Sequence, residues 1–319
     1  MRKMLLSAIA LLAIALQAHA DTYPSRPIRI VVPFGPGGFT DVAARILQKE
    51  LAPAIGAPIV IENKPGAGST IGTTDVARAE PDGYNLVMIS TTHVISPHLY
   101  KQVPYDPIKD FTPVMKLAEG PYVLVVHPSL GVKSVAELIA LAKAKPGVID
   151  YASSGNGSSQ HLVGALFCNM TGVKLSHVPY KGSSQAMNDV LAGTVKVSFV
   201  GVPNALAAVN AGKLLALAVS SKTRYAEMPN VPTMDEAGVK GFDATIWLGL
   251  LAPPKTPREI VNKLNATISK VLSAPDAKKL MASAGVDVAT STPEEFEALM
   301  QRELERWGKV VRETGATVN

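Results

Sequence analysis

Cysteine is all but missing: Cys168 is the only one in 319 residues. A single thiol closes no intramolecular disulfide, and inside the helical pattern of 161–168 it reads as a buried structural residue. Aromatic side chains make up only 5%, too few for the stacking platforms that single-stranded nucleic acid needs. Charged residues reach 18%, and the lysines and arginines are scattered. With no basic stripe for a phosphate backbone to follow, nucleic acid is excluded as a partner. The 47% of hydrophobic residues excludes a disordered chain. The length supports a core for about two domains.

Catalytic signatures are missing as well. His93, His98, His127, His161 and His177 show no HExxH spacing, and there is no cysteine pair, so no metal site is expected. No Gly-x-Ser-x-Gly elbow or Gly-Lys-Ser/Thr phosphate loop occurs. Tyr105 and Lys109 copy a Tyr-x-x-x-Lys reductase pair, but Pro107 between them disrupts the helix such a pair requires. Gly66-Ala67-Gly68-Ser69-Thr70-Ile71-Gly72 is a weak match to a dinucleotide loop. No catalytic residue, metal or cofactor is therefore expected.

After residue 20 no uncharged apolar run approaches the roughly 20 residues that span a bilayer. The run that stands out is at the start. Arg2 and Lys3 precede an apolar stretch at 5–16, and Ala18-His19-Ala20 supplies a small-x-small cleavage site before Asp21. This is the pattern of a secretory signal peptide cleaved after Ala20. Its removal takes the formal charge from +5 to +3, since 1–20 holds no acid. The expected mature protein is exported and soluble, without stable membrane insertion.

What the chain does contain is a repeated order of strand, glycine-rich turn and helix. Strands are expected at 28–32, 58–62 and 86–90, with Thr40 as N-cap of the first helix and Ala43, Ile46, Leu47 and Leu51 on one face of it. The order breaks in the proline-rich 104–113, after which strands fall at 112–116 and 122–126. A second α/β run opens at the capping box Ser134-x-x-Glu137. It carries strands at 149–152, 174–178, 195–199 and 214–220. A strand at 245–251 and helices near 257–273, 275–284 and 293–314 close the chain. The second unit is inserted into the first, with joins near 117–121 and 220–225. The resulting division is 21–118 with 223–319 as domain 1 and 119–222 as domain 2, facing each other across a cleft.

Three turns rich in glycine and hydroxyl side chains each open a helix: 37–41, 153–159 and 181–184. Glycine allows close approach of backbone N–H groups, and the first turn of a helix leaves donors free with partial positive charge. Such turns in two facing domains make a clamp for an anionic solute.

The motifs Pro33-Phe34-x-x-Gly37-Gly38-x-x-Asp41-x-x-Ala44-Arg45, Asn63-Lys64-Pro65-Gly66-Ala67-Gly68, Pro81-Asp82-Gly83-Tyr84, Asp110-Phe111-Thr112-Pro113-Val114, Tyr151-Ala152-Ser153-Ser154-Gly155, His177-Val178-Pro179-Tyr180-Lys181-Gly182 and Trp307-Gly308-Lys309-Val310-Val311 follow one another nearly end to end. Together they resemble the substrate-binding receptors of tripartite tricarboxylate transporters, the Bug family. The resemblance implies an α/β, type II-like periplasmic binding protein. Each of its two domains is a mostly parallel sheet flanked by helices. It implies a monomer that captures a small organic carboxylate between the domains and delivers it to membrane permease subunits. A ligand sensor presenting the loaded form to a membrane kinase is the alternative; an exported enzyme is a weaker third.

Carried over by motif, first-domain contacts are Phe34, Gly37, Gly38 and Thr40, with Ser90 and Thr91 at the third strand's end. Second-domain contacts are Ser153, Ser154, Gly157, Ser158 and His161, with Lys181 near the mouth. Phe39, Val200 and Gly201 complete the expected set. Family members often carry Asp where Val200 stands, so any role of that acid is lost here. The expected cleft loops, 34–41, 63–69, 90–96, 153–161, 180–184 and 199–204, contain one acid, Asp41. That acid is expected to orient its own turn. A buried ammonium group would need an acceptor, so the expected ligand is a carboxylate without one.

Overall fold

Ile28–Val32 (β1) has almost no exposed residue, the pattern of a strand covered on both faces. In the computed structural model, which describes residues 23–283 and 286–316, β1 pairs in parallel with Ile59–Asn63 (β2) and Asn85–Ser90 (β3). The expected leader and its cleavage point lie outside the described residues. Phe39–Ile55 (α1), Thr70–Ala77 (α2) and Thr92–Leu99 (α3) follow these three strands in turn. In α1 the buried face is Ala43, Ala44, Leu47, Leu51 and Ile55. The helix begins earlier than expected. Gly38, in extended conformation, is its N-cap, and Thr40 sits buried in the first turn.

The expected strands at 112–116 and 122–126 are one 15-residue strand, Thr112–Val126 (β4). The segment between them shows hydrophobic burial on both sides, Leu117, Ala118, Tyr122 and Val123 being at most 2% exposed. Two bulges, near Met115 and Ala118, obscure the alternation that would reveal it as strand. β4 pairs with Thr245–Ala252 (β9) over Thr112 to Pro121, then with Val197–Gly201 (β7) and Leu215–Val219 (β8) over Tyr122 to Val126. Among the described residues it therefore runs through both halves of a ten-stranded sheet of order β2-β1-β3-β9-β4-β7-β5-β6, where β5 is Asp150–Ser153 and β6 is Ser176–Pro179, with β8 and Asp287–Val288 (β10) paired to β4 off this path. β5 is parallel to both β6 and β7, whereas every strand bonded to β4 is antiparallel. The sheet is mixed, with a parallel portion in each half.

Ser220 clasps the two crossings between halves. Its amide donates to Tyr122 O at 2.8 Å, its hydroxyl accepts from Tyr122 N at 2.8 Å, and the same hydroxyl donates to Ala244 O. In the second half Val135–Ala144 (α4), Ser159–Thr171 (α5), Ser183–Leu191 (α6) and Val202–Asn210 (α7) flank the strands. Ser134 caps α4 by accepting from Glu137 N at 3.2 Å, but Glu137 accepts from Lys133 N rather than returning to the cap. A full capping box is present at Thr292 and Glu295, which open Pro293–Thr314 (α10). That helix buries Phe296, Met300 and Trp307 and packs across α3, α5 and β4, holding the halves from behind.

Candidate functional site

Five helix N-termini converge where the two halves meet. From the first half come α1, α2 and α3; from the second come α5 and α6. At three of them, capped by Gly38, Ser69 and Gly182, no side chain among the described residues satisfies the first-turn amides, while at the start of α3 Ser90 Oγ accepts from Thr92 N at 3.3 Å. Unpaired first-turn donors carry partial positive charge, and several aimed at one volume make a strong anion seat without a fixed cation.

The volume they face has two chambers. The larger, about 400 Å³, lies between Pro33, Phe34 and residues 65–69 on one side and 154–156, Ser158, Tyr180 and Lys181 on the other. The smaller, about 40 Å³, is bounded by Gly38, Phe39, Thr40 and Ser90 from the first half and by Ser159, Gln160 and Ser183 from the second. Phe34, Thr92 and Ser154 line both. Among the described residues neither lining holds an Asp or Glu, and Lys181 is the one cation.

The lips of this site touch. Tyr100 Oη donates to Asn156 O at 3.0 Å, Ser159 N donates to Thr92 Oγ1 at 3.2 Å, and Ser184 Oγ donates to Pro36 O at 3.3 Å. Gly157 makes the first of these approaches possible. Its φ is +76°, and a Cβ there would lie 3.0 Å from the Tyr100 ring.

Each lip is braced from behind. Asp41, with only 3% of its side chain exposed, accepts from Gly37 N at 2.8 Å, Asn63 Nδ2 at 2.8 Å and Arg45 Nε at 3.0 Å. Burial pushes its carboxyl upward, but these three donors outweigh it and hold the group below its ordinary value. The acid thus orients its own turn, as expected. On the other lip Ser154 N donates to Gln160 Oε1 at 2.7 Å, and Gly157 N donates to His161 Nδ1 at 3.3 Å. Ser153 Oγ shares a 2.6 Å hydrogen bond with His177 Nε2. His161 and His177 stack at 3.9 Å. Burial holds His161 down at about 4, and burial with the neighbouring His161 holds His177 at about 3.

Of the residues singled out in the sequence, Phe34, Gly38, Phe39, Thr40, Ser90, Ser154, Ser158 and Lys181 face the chambers. The others stand apart from the lining. Gly37 faces the opposite lip, where a Cβ would lie 3.2 Å from Ser184 Oγ, and Thr91 is fully buried with its hydroxyl accepting from Trp247 N. Ser153 and His161 turn toward the opposite side, where His161 and His177 line a separate cavity of about 450 Å³ with Tyr151 and Cys168. Val200 is wholly buried in a small core with Val123, Val190 and Met228 and is absent from both chamber linings. Gly201 lies under the Phe39 ring, where a Cβ would approach to 2.9 Å. Ser158 faces the larger chamber, but its hydroxyl is engaged as the cap of α5, accepting from His161 N at 3.2 Å.

Thr92, Tyr100, Asn156 and Gln160 also face the chambers and were not singled out. Thr92 is the third of three consecutive hydroxyl residues, and Pro97 inside α3 hides the helix it opens. Tyr100 and Asn156 meet only through the fold, and no local pattern marks them.

No helix among the described residues is long and apolar enough to cross a membrane. A family model described as the tripartite tricarboxylate transporter family receptor matches residues 43–316. Protein BugT of Bordetella pertussis is 39% identical over 310 residues, covering 97% of this chain and 95% of that protein. Rpa4515 of R. palustris, solved with adipate, superposes with a TM-score of 0.90 at 35% identity over 93% of this chain and 100% of that one. MatC from Rhodopseudomonas palustris, solved with bound malate, gives a TM-score of 0.86 at 35% identity over 91% and 100%. This chain belongs to the family of tripartite tricarboxylate transporter receptors.

Proposed function

We propose that this receptor closes its two halves around a small organic carboxylate lacking an ammonium group and hands it to the membrane permease of a tripartite tricarboxylate transporter. It does so as a periplasmic monomer freed of its leader after Ala20. Domain 1 is 21–118 with 223–319 and domain 2 is 119–222, moving about the Ser220 clasp. The observation that carries the reading is the convergence of five helix N-termini, from both halves, on a volume lined by no acid among the described residues. An anion there gains charge-assisted hydrogen bonds, while an ammonium group would be buried without an acidic partner. Relatives solved with adipate and malate fit that chemistry.

The carboxylate sits where the chambers meet, beside Thr40, Thr92 and Ser154. Thr40 is 4% exposed, lines the smaller chamber, and its hydroxyl has no partner among the described residues. Calorimetric titration with C4–C6 dicarboxylates, citrate, benzoate-type acids, aspartate and glutamate tests the proposal. Binding by a simple carboxylate that weakens about tenfold or more in Thr40→Val supports it. Tightest binding by aspartate or glutamate contradicts it.

A further inference from the structure

Behind the second lip lies the cavity of about 450 Å³ that the carboxylate does not use. Its walls come from both halves: α5 and the residues leading into β6 on one side, Thr314 and Ala316 at the end of α10 on the other. Small-molecule sites typically occupy roughly 300–1,000 Å³. Among the described residues the lining holds no Asp, Glu, Lys or Arg. Its two imidazoles are neutral, since burial holds His161 at about 4 and, with the neighbouring His161, holds His177 at about 3. An ion entering here would lose water and gain no opposite charge, so the cavity suits an uncharged guest.

The walls narrow the guest further. His161 and His177 stack at 3.9 Å and 9°, and Tyr151 lies 5.0 Å from His177 at 32°, so one wall is made of three rings. Ala165, Val173 and Leu175 add apolar surface. Rings pack favourably against rings, offset or edge-on, at such spacings. Free polar atoms are an independent observation. His161 Nδ1 accepts from Gly157 N at 3.3 Å, which puts the proton of the neutral ring on Nε2. That N–H has no partner among the described residues, and neither has His177 Nδ1. Both rings line the cavity, so they offer a guest hydrogen bonds that the described chain leaves unused.

The same rings hold the lip. His161 fixes Gly157, and His177 Nε2 bonds Ser153 Oγ at 2.6 Å, which in turn bonds both Gly155 N and Gly155 O at 3.1 Å. A guest that orders the imidazoles therefore orders the turn at 153–157. We infer that this rear cavity is a second binding site, for a small uncharged aromatic molecule carrying a hydrogen-bond acceptor, and that its occupancy stiffens the second lip through His161 and His177. The inference goes beyond the carboxylate reading and stands without it, since the guest is neutral and the site lies outside the cleft.

Benzamide is the probe, with a ring for the wall and a carbonyl to accept from His161 Nε2. Cys168, the single cysteine, lines the cavity and reports occupancy. Burial pushes its thiol up, which slows its alkylation. On the full mature chain at mildly alkaline pH, benzamide should slow alkylation by iodoacetamide saturably, by about threefold or more. Cyclohexanecarboxamide, the same amide on a saturated ring, should need about three- to tenfold more for equal protection. Benzylammonium, a cation, should need at least about tenfold more. Ala165→Phe fills the cavity from α5 and should abolish protection; Thr314→Phe does the same from α10 if the first variant does not fold. With benzamide bound, amides of 153–158 should exchange hydrogen about threefold or more slowly. No protection by benzamide, equal protection by all three compounds, or protection that persists in the filled variants would overturn the site. Protection with unchanged exchange at 153–158 would overturn its link to the lip.

Discussion

The two lips of the cleft solve one problem with opposite chemistry. The turn at 37–41 is braced by a charge: Asp41, buried behind it, gathers Gly37, Asn63 and Arg45. The turn at 153–158 is braced by neutral groups, with Gln160, His161 and His177 holding Ser154, Gly157 and Ser153. The first leaves the opening amides of α1 without a side-chain cap, while the opening of α5 is engaged, Ser159 N on Thr92 Oγ1 and His161 N on Ser158 Oγ. The lesson is a separation of tasks. An acid stabilises the first turn because its three donors satisfy it, leaving no net repulsion toward an anion in front. The second lip keeps its imidazoles uncharged by burying them, whereas the first keeps its carboxyl charged through its three donors.

The largest effect expected from breaking this contrast is at Asp41. Asp41→Ala removes three hydrogen bonds to a charged, buried acceptor and leaves the Gly37 amide unpaired. Thermal or urea unfolding should show a loss of about 3 kcal/mol, and carboxylate titrations a collapse of affinity. Unfolding unchanged within about 0.5 kcal/mol would mean the turn holds itself.

Acid should sharpen the contrast next. His161 is neutral in the fold down to about 4, whereas an unfolded histidine protonates near 6.5. Between these values the unfolded state binds more protons, so this stability is complete above about pH 6.5 and is lost as pH falls toward 4. At pH 5 the loss is about 2 kcal/mol for such a group. His93, packed between Tyr105 and Phe111 and also held near 4 by burial, adds a similar slope elsewhere. His161→Gln should therefore flatten the decline of melting temperature between pH 7 and 5 without abolishing it. Asp41, held below its ordinary value, adds stability that is present above the unfolded carboxyl range and lost only as pH falls below it.

The smallest effects separate stability from binding on the two lips. Ser158→Ala removes the cap of α5, for a loss of about 1 kcal/mol, with only a small change in affinity since its hydroxyl already serves the helix. Thr40→Val, whose hydroxyl has no partner among the described residues, should leave the melting temperature nearly unchanged and weaken binding about tenfold. Chemical unfolding and calorimetry on the same pair check the crossover.

Much of this was legible in the sequence. The β-branched runs of β1 and β7, the glycine turns and the cap at Ser134 carry local signals, and the order of elements with the family motifs points to a cleft. Three things were not legible. β4 looked like two strands because its bulges break the alternation. Val200 and His161 lie in segments that reach the cleft, but alternation along β7 turns Val200 into the core and the turn of α5 points His161 to the opposite side. Tyr100 and Asn156 touch across 56 residues, a contact that exists only through the tertiary fold.

The central claim is that helix N-termini in both halves capture a carboxylate by its charge. A thermal-shift comparison of organic acids with their neutral methyl esters, at matched concentration and pH 7, tests it most directly. Saturation at 100 times Kd stabilises by about 2.7 kcal/mol, so the expected result is a clear rise in melting temperature with at least one acid and none with its ester. Equal shifts from acid and ester, or no shift from any acid, would contradict the account.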